Sequence, residues 1–260
     1  MIDNIHDELN SIEFKKEWAR FIEMKRSVIY CLHFCYFNSV RDGVSGEKNF
    51  FLRMIDDILQ SVVSIELLAK KGITNICRRE LRYLIELAIK SNLIVTNTEK
   101  QNLVDQVKEY EELLNSPNIN PINTLSFDYF EIEVQNEFKS FVKRTYGYLS
   151  KYTHSTTFQI IERLEKAESG RTIGYEGINE LKELNDDIEK VFLSVLVFIF
   201  HSVEQYVAGD YFVEPNGESL RWYFDKSKFI NLIDARFDYK AERNGIIDKL
   251  IKERIDRTKF

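Results

Sequence analysis

The sequence predicts an all-α protein, a bundle of long antiparallel helices with additional helices at its C-terminal end. Two observations carry this. Only 3 prolines and 10 glycines punctuate 260 residues, too few breakers for the many tight turns of a strand-rich chain. Apolar residues also recur at helical spacing over long stretches, as Phe14, Trp18, Phe21, Ile22, Ile29, Leu32 and Cys35 do near the start, so that one face of each helix can be buried.

Taken in order, this periodicity predicts a first helix over about 12–38 and a glycine-bearing loop at 41–46. A second helix covers about 49–70, with Gly72 placed as its C-terminal cap. Thr74 or Asn75 can cap a third helix that reaches about residue 95, and a more polar fourth covers 99–114. Pro117 and Pro121 then break the pattern. Helix resumes over about 133–154, with a further piece over 156–167. After a turn or short hairpin at 169–174, the longest helix spans 177–208. Residues 1–208 thus read as the bundle domain, and 209–260 as a connector and charged helical segment packing on or beside it.

Hydrophobic residues at 44% and charged residues at 30% give the balance of a folded globular chain. The net charge of −6 is uneven: residues 221–260 hold 11 Lys/Arg against 7 Asp/Glu, leaving −10 on the rest. A uniformly basic groove for phosphate backbones is therefore excluded, and the C-terminal segment reads as a solvated charged helix, with a local basic face as the alternative. Cys31, Cys35 and Cys77 sit in apolar surroundings and read as buried reduced thiols, with no Cys/His quartet for zinc. The N-terminus lacks the basic and apolar regions of a signal peptide, and the most apolar stretch, 191–200, is too short to span a bilayer. A cytoplasmic protein with no membrane partner is expected. Phosphate loops, HExxH helices and diagnostic metal carboxylates are all missing, so no metal and no cofactor is expected either.

Two segments could carry chemistry. In the third helix, Arg78, Arg82 and Glu86 step by four and share a face. They form either a ladder of exposed ion pairs, or a site in which a semi-buried Glu86 turns an arginine toward a neighbouring helix or an anion. In the run from Arg144 to Ser155, Ser150 and His154 are four apart, and Lys151 favours a neutral His154 imidazole. A Ser–His pair without a third group and a strand-to-helix turn does not make a hydrolase, and His154 reads first as a structural residue. Arg144 lies roughly 15 Å from His154 along a continuous helix, too far to share one phosphate. Of the other histidines, His33 and His201 read as core residues and His6 as part of a frayed end.

The run Lys71-Gly72-Ile73-Thr74-Asn75-Ile76-Cys77-Arg78-Arg79-Glu80-Leu81-Arg82, with Glu86 one turn on, and the run Tyr148-Leu149-Ser150-Lys151-Tyr152-Thr153-His154 resemble a family of bacterial helical proteins, the DUF5677-like group, related to the HEPN superfamily. The resemblance covers about residues 50–160. It implies a helical bundle, often a homodimer, that works in anti-phage defence or toxin–antitoxin-like systems beside a defence-system protein partner. It also implies RNA as a candidate substrate, since many HEPN proteins are metal-independent ribonucleases. In them histidine serves as base and arginine stabilises the phosphate charge. Carried onto this chain, the catalytic candidates are His154, Lys151, Arg144 and Ser150. The ligand- or anion-binding candidates are Arg78, Arg82, Glu86 and Tyr148. The spacing of Arg144 and His154 departs from the short arginine–histidine spacing of those nucleases. Three functions stay open: a HEPN-like protein acting by association, a ribonuclease built on His154, and a scaffold docking a partner through 227–260.

Overall fold

A computed structural model describes residues 7–41, 49–98, 102–115, 119–153, 156–171, 174 and 176–260. The long helices are α1 (Ile12–Arg41), α3 (Ile55–Lys70), α4 (Thr74–Thr98), α6 (Ile132–Ser150) and α8 (Gly177–Phe200). Between them lie α2 (Phe50–Arg53), α5 (Leu103–Leu114) and α7 (Thr157–Glu168). The chain then adds α9 (Gln205–Phe212), α10 (Lys228–Ala235) and α11 (Ile247–Arg257), with single 3-10 turns between elements. Among the described residues the only β pairing is one isolated bridge, Val213 with Ser219, and the all-α expectation holds.

Cross-helix bonds set the directions. Cys77 meets the Ile65 carbonyl while Glu80 meets Ser61, and Arg79 meets the Tyr152 carbonyl while Glu86 meets Tyr146, so α3 and α6 run antiparallel to α4. Arg78 meets Asp187 while Asn92 meets the Phe198 carbonyl, so α8 runs parallel to α4. Asn185 on the Glu17 carbonyl and Glu189 on Arg20 make α1 parallel to α8 as well. Successive long helices therefore alternate in direction, while α1, α4 and α8 all point the same way.

α8 is the axis of the bundle. Every residue from Val191 to Phe200 is buried, the pattern of a helix covered on all sides. α4, α1, α6 and α10 pack around it. The expected single helix over 177–208 stops instead at Phe200. The His201 imidazole and Ser202 hydroxyl bond back to the Val197 and Phe198 carbonyls, and Asn92 takes Phe198 O as a second partner. These side chains satisfy the helix-end acceptors, and Glu204 then turns the chain into α9 with extended backbone.

Other boundaries differ in smaller ways. The second helix divides at Met54 into α2 and α3. Gly72 caps α3, with Ile73 N on Leu68 O and a left-handed φ of 64°. The helix expected to reach residue 154 ends at Ser150 and continues as a turn through Thr153.

The C-terminal segment is not a solvated helix. Phe224, Phe229, Ile230, Ile233 and Phe237 join the same hydrophobic cluster as α8. Two of its arginines turn inward: Arg243 and Arg254 approach Asp234 at 2.5 and 2.8 Å, and both also bind Asp238. Each of these buried guanidinium forks finds carboxylates of the same segment in place, while Lys228, Arg236 and Lys249 pair at the surface with Glu137, Glu131 and Glu218.

Candidate functional site

The seam between α4 and α6 gathers three of the expected residues, Arg82, Glu86 and Ser150, around Tyr146, which the sequence does not single out. Arg82 Nε donates to Ser150 Oγ at 3.1 Å, its Nη2 donates to the Tyr146 hydroxyl, and its guanidinium lies 4.6 Å from the Tyr146 ring centroid. Glu86 pairs with Arg82 at 3.6 Å and with Lys90 at 2.7 Å, and its side chain is only one-fifth exposed. This is the arrangement in which a semi-buried Glu86 directs an arginine onto a neighbouring helix. Ser150 Oγ donates in turn to the Tyr146 carbonyl, so its hydroxyl already holds two bonds.

Arg78 goes elsewhere. It is fully buried and faces α8, with Nη1 on Glu180 Oε1 at 2.5 Å and Nε on Asp187 Oδ2 at 2.9 Å. Its guanidinium sits 4.8 Å from the Tyr152 ring centroid. Four residues along a helix still leave an angular offset of some 40°, and here it sends Arg78 to α8 and Arg82 to α6. Burial pushes the Asp187 carboxyl up despite Arg78 beside it. Burial acts on Glu180 in the same sense, but Arg78 and Lys166 together overcome it and hold that carboxyl below the ordinary range.

Tyr148 and Tyr152 share a hydroxyl–hydroxyl bond of 3.2 Å. Lys151 is exposed and lies over the Tyr148 and Phe158 rings, at 5.5 and 5.0 Å. Arg144 is exposed two turns earlier on α6. His154 and Ser155 fall outside the described residues. The candidates therefore divide: Arg82, Glu86 and Ser150 form one cluster with Tyr146, Arg78 belongs to a buried ionic one, Tyr148 pairs with Tyr152, and Arg144 and Lys151 face solvent.

The periodicity gives no warning of α7's orientation. Thr156 caps its start by accepting from Gln159 N. Its end is closed by Gly170, left-handed at φ 74°, which places Arg171 N on Lys166 O at 2.8 Å. Between those caps the helix is turned inside out. Gln159, Glu162 and Lys166 face the bundle: Gln159 is 2% exposed and donates to the Tyr152 carbonyl. Lys166 reaches Glu162, Glu176 and Glu180 at 3.3, 3.0 and 2.9 Å. The apolar residues face out, with Phe158, Ile160, Ile161 and Leu164 exposed by 40, 54, 50 and 59%.

The histidines diverge from expectation. His33 is exposed, because it lies two positions from the inward Cys31 and Cys35 and so on the opposite side of α1. His201 is the core histidine: Nδ1 bonds Val197 O and Nε2 accepts from Tyr129 N–H, among the rings of Phe127, Tyr129 and Phe130. Burial brings its pKa down to about 4. The three cysteines are buried and free. Among the described residues no His/Cys/Asp/Glu group could hold a metal ion, and no helix is long and apolar enough to cross a membrane. Compared with known protein families, curated proteins and solved structures, the chain shows no match.

Proposed function

We propose that this protein works by association, as a homo-oligomer whose subunits meet through the outward face of α7. The resemblance supplies the setting, a component of a bacterial anti-phage defence or toxin–antitoxin-like system. The observation that carries the reading is the inverted amphipathicity of α7, where Ile160, Ile161 and Leu164 face solvent while Gln159 and Lys166 face the protein. An amphipathic helix normally turns its apolar stripe inward; one held the other way round displays anchors for a partner. The arginine-rich face of α4 supports the same reading. Arg78 and Arg82 are engaged in bonds that tie α4 to α8 and α6, and so act as clasps within the subunit.

Sedimentation velocity of the full chain across micromolar concentrations tests this. A concentration-dependent dimer or larger species is expected, and Leu164→Asp converts it to monomer with unchanged helical circular dichroism. A wild-type chain that stays monomeric over that range overturns the reading.

A further inference from the structure

The outward face of α7 has an order that names its partner. Reading the helix in sevens, Thr157 and Leu164 take the first position, Ile160 and Ala167 the fourth, and Ile161 and Glu168 the fifth. Arg163 takes the seventh, while the inward Gln159, Glu162 and Lys166 take the third and sixth. The first and fourth positions form the seam of a two-stranded coiled coil, and the third and sixth point away from it. The residues that bind the bundle are thus those a coiled coil would leave outside, and all the seam and flanking residues are exposed.

Building on the association reading above, we infer that α7 pairs in parallel with α7 of a second copy, about a two-fold axis running along the helices, with Arg163 of each subunit meeting Glu168 of the partner subunit. The charges select this orientation. In a parallel pair, a residue at the seventh position lies beside the fifth position of the next seven on the opposite helix, which here joins Arg163 to the partner's Glu168 twice over. An antiparallel pair of the same helices would put like flanks together, Arg163 beside the partner's Arg163. The two-fold relation closes the assembly at two copies along this contact, because the same patch is used on both.

The paired area is small. Three turns of helix bury less than the about 800 Å² per subunit of a standard stable interface, so the dimer is weak and the flanking charges weigh heavily in it. Each exposed pair contributes little alone, but a reversal turns two attractions into two repulsions.

The test is a charge exchange on the full chain, read by sedimentation equilibrium. Arg163→Glu and Glu168→Arg each weaken dimerisation by about tenfold, and the double variant, which restores opposite charges across the axis, returns to within about twofold of wild type. Circular dichroism keeps the comparison among folded proteins, and Arg163 and Glu168 are five apart and do not meet within one helix. If Leu164→Asp abolishes the dimer while the charge variants dimerise like wild type, association through α7 stands and the parallel register is wrong. A double variant no better than either single one also overturns the register. A monomeric wild type overturns both.

Discussion

Arg78 and Lys166 grip opposite oxygens of one carboxylate, with Arg78 on Glu180 Oε1 at 2.5 Å and Lys166 on Oε2 at 2.9 Å. Glu180 therefore joins three helices: α4 through the arginine, α7 through the lysine, and α8 on which it stands. The two cations do different work. Arg78 is fully buried among core helices, whereas Lys166 is partly exposed at the rim.

Removing the shared carboxylate strands a charge that cannot reach water. Glu180→Leu leaves Arg78 with Asp187 as its remaining close partner. A loss of about 3–5 kcal/mol is expected, the scale for breaking one side of a buried ion pair. Urea unfolding followed by circular dichroism measures it. A loss below about 1 kcal/mol, typical of surface pairs, would show that water reaches the guanidinium.

Lys166→Met should act locally. α7 is held to the bundle by Lys166 and by Gln159 on the Tyr152 carbonyl from its inward face, and by the Phe158–Tyr152 ring contact from its edge. Hydrogen exchange over 157–168 is expected to quicken about tenfold or more, while α8 keeps its protection. High salt should reproduce part of the effect by screening, and Lys166→Arg should preserve protection. Unchanged exchange in Lys166→Met would mean that the lysine does not hold the helix.

His201 gives the pH dependence. Its folded pKa is depressed from 6.5 to about 4 by burial, so the unfolded chain binds the extra proton in between. The sign follows: the contribution is fully present above 6.5, and is lost as pH falls from there through about 4. A decline of about 3 kcal/mol is expected across that window. His201→Phe should flatten this part of the stability profile, and an imidazole that titrates near 6.5 by NMR would contradict the burial seen here.

Deleting residues 221–260 is expected to unfold the bundle and not merely to remove a tail. Phe224, Phe229, Ile233 and Phe237 belong to the central cluster, and Tyr223 bridges Arg20 of α1 and Glu189 of α8. Loss of cooperative thermal unfolding in the truncated chain checks this. A truncated chain that still melts cooperatively near the wild-type temperature would make the segment an appendage.

Helix positions were legible because they depend on local spacing: Phe14 to Cys35 repeat as a helix should, and 191–200 is apolar enough to be core on any reading. Partnerships were not. Arg78 finds Glu180 and Asp187 more than a hundred residues away, and no pattern near residue 78 distinguishes a guanidinium buried against α8 from one on the next turn, Arg82, that is partly exposed against α6. The break after Phe200 is closed by His201 and Ser202 together with Asn92 from another helix, and none of these is a proline or glycine that would mark a helix end in 177–208. The outward turn of α7 was hidden for a different reason. Phe158, Ile161 and Leu164 have the spacing of an ordinary inward stripe, and only the ionic cluster beneath α7 selects Gln159 and Lys166 for the inner side. His154, on which the nuclease reading rests, lies outside the described residues.

The position of α8 in the chain has a consequence for synthesis. The helix that α1, α4 and α6 pack around is encoded after all of them, starting at Gly177. At elongation speeds of about 5–20 residues per second, α1 waits roughly eight to thirty seconds, and α6 roughly three to ten, before α8 is complete and can cover their apolar faces. The nascent chain is then an obvious client for chaperones, and ribosomal stalling before residue 177 would leave a product that aggregates because it lacks its axle.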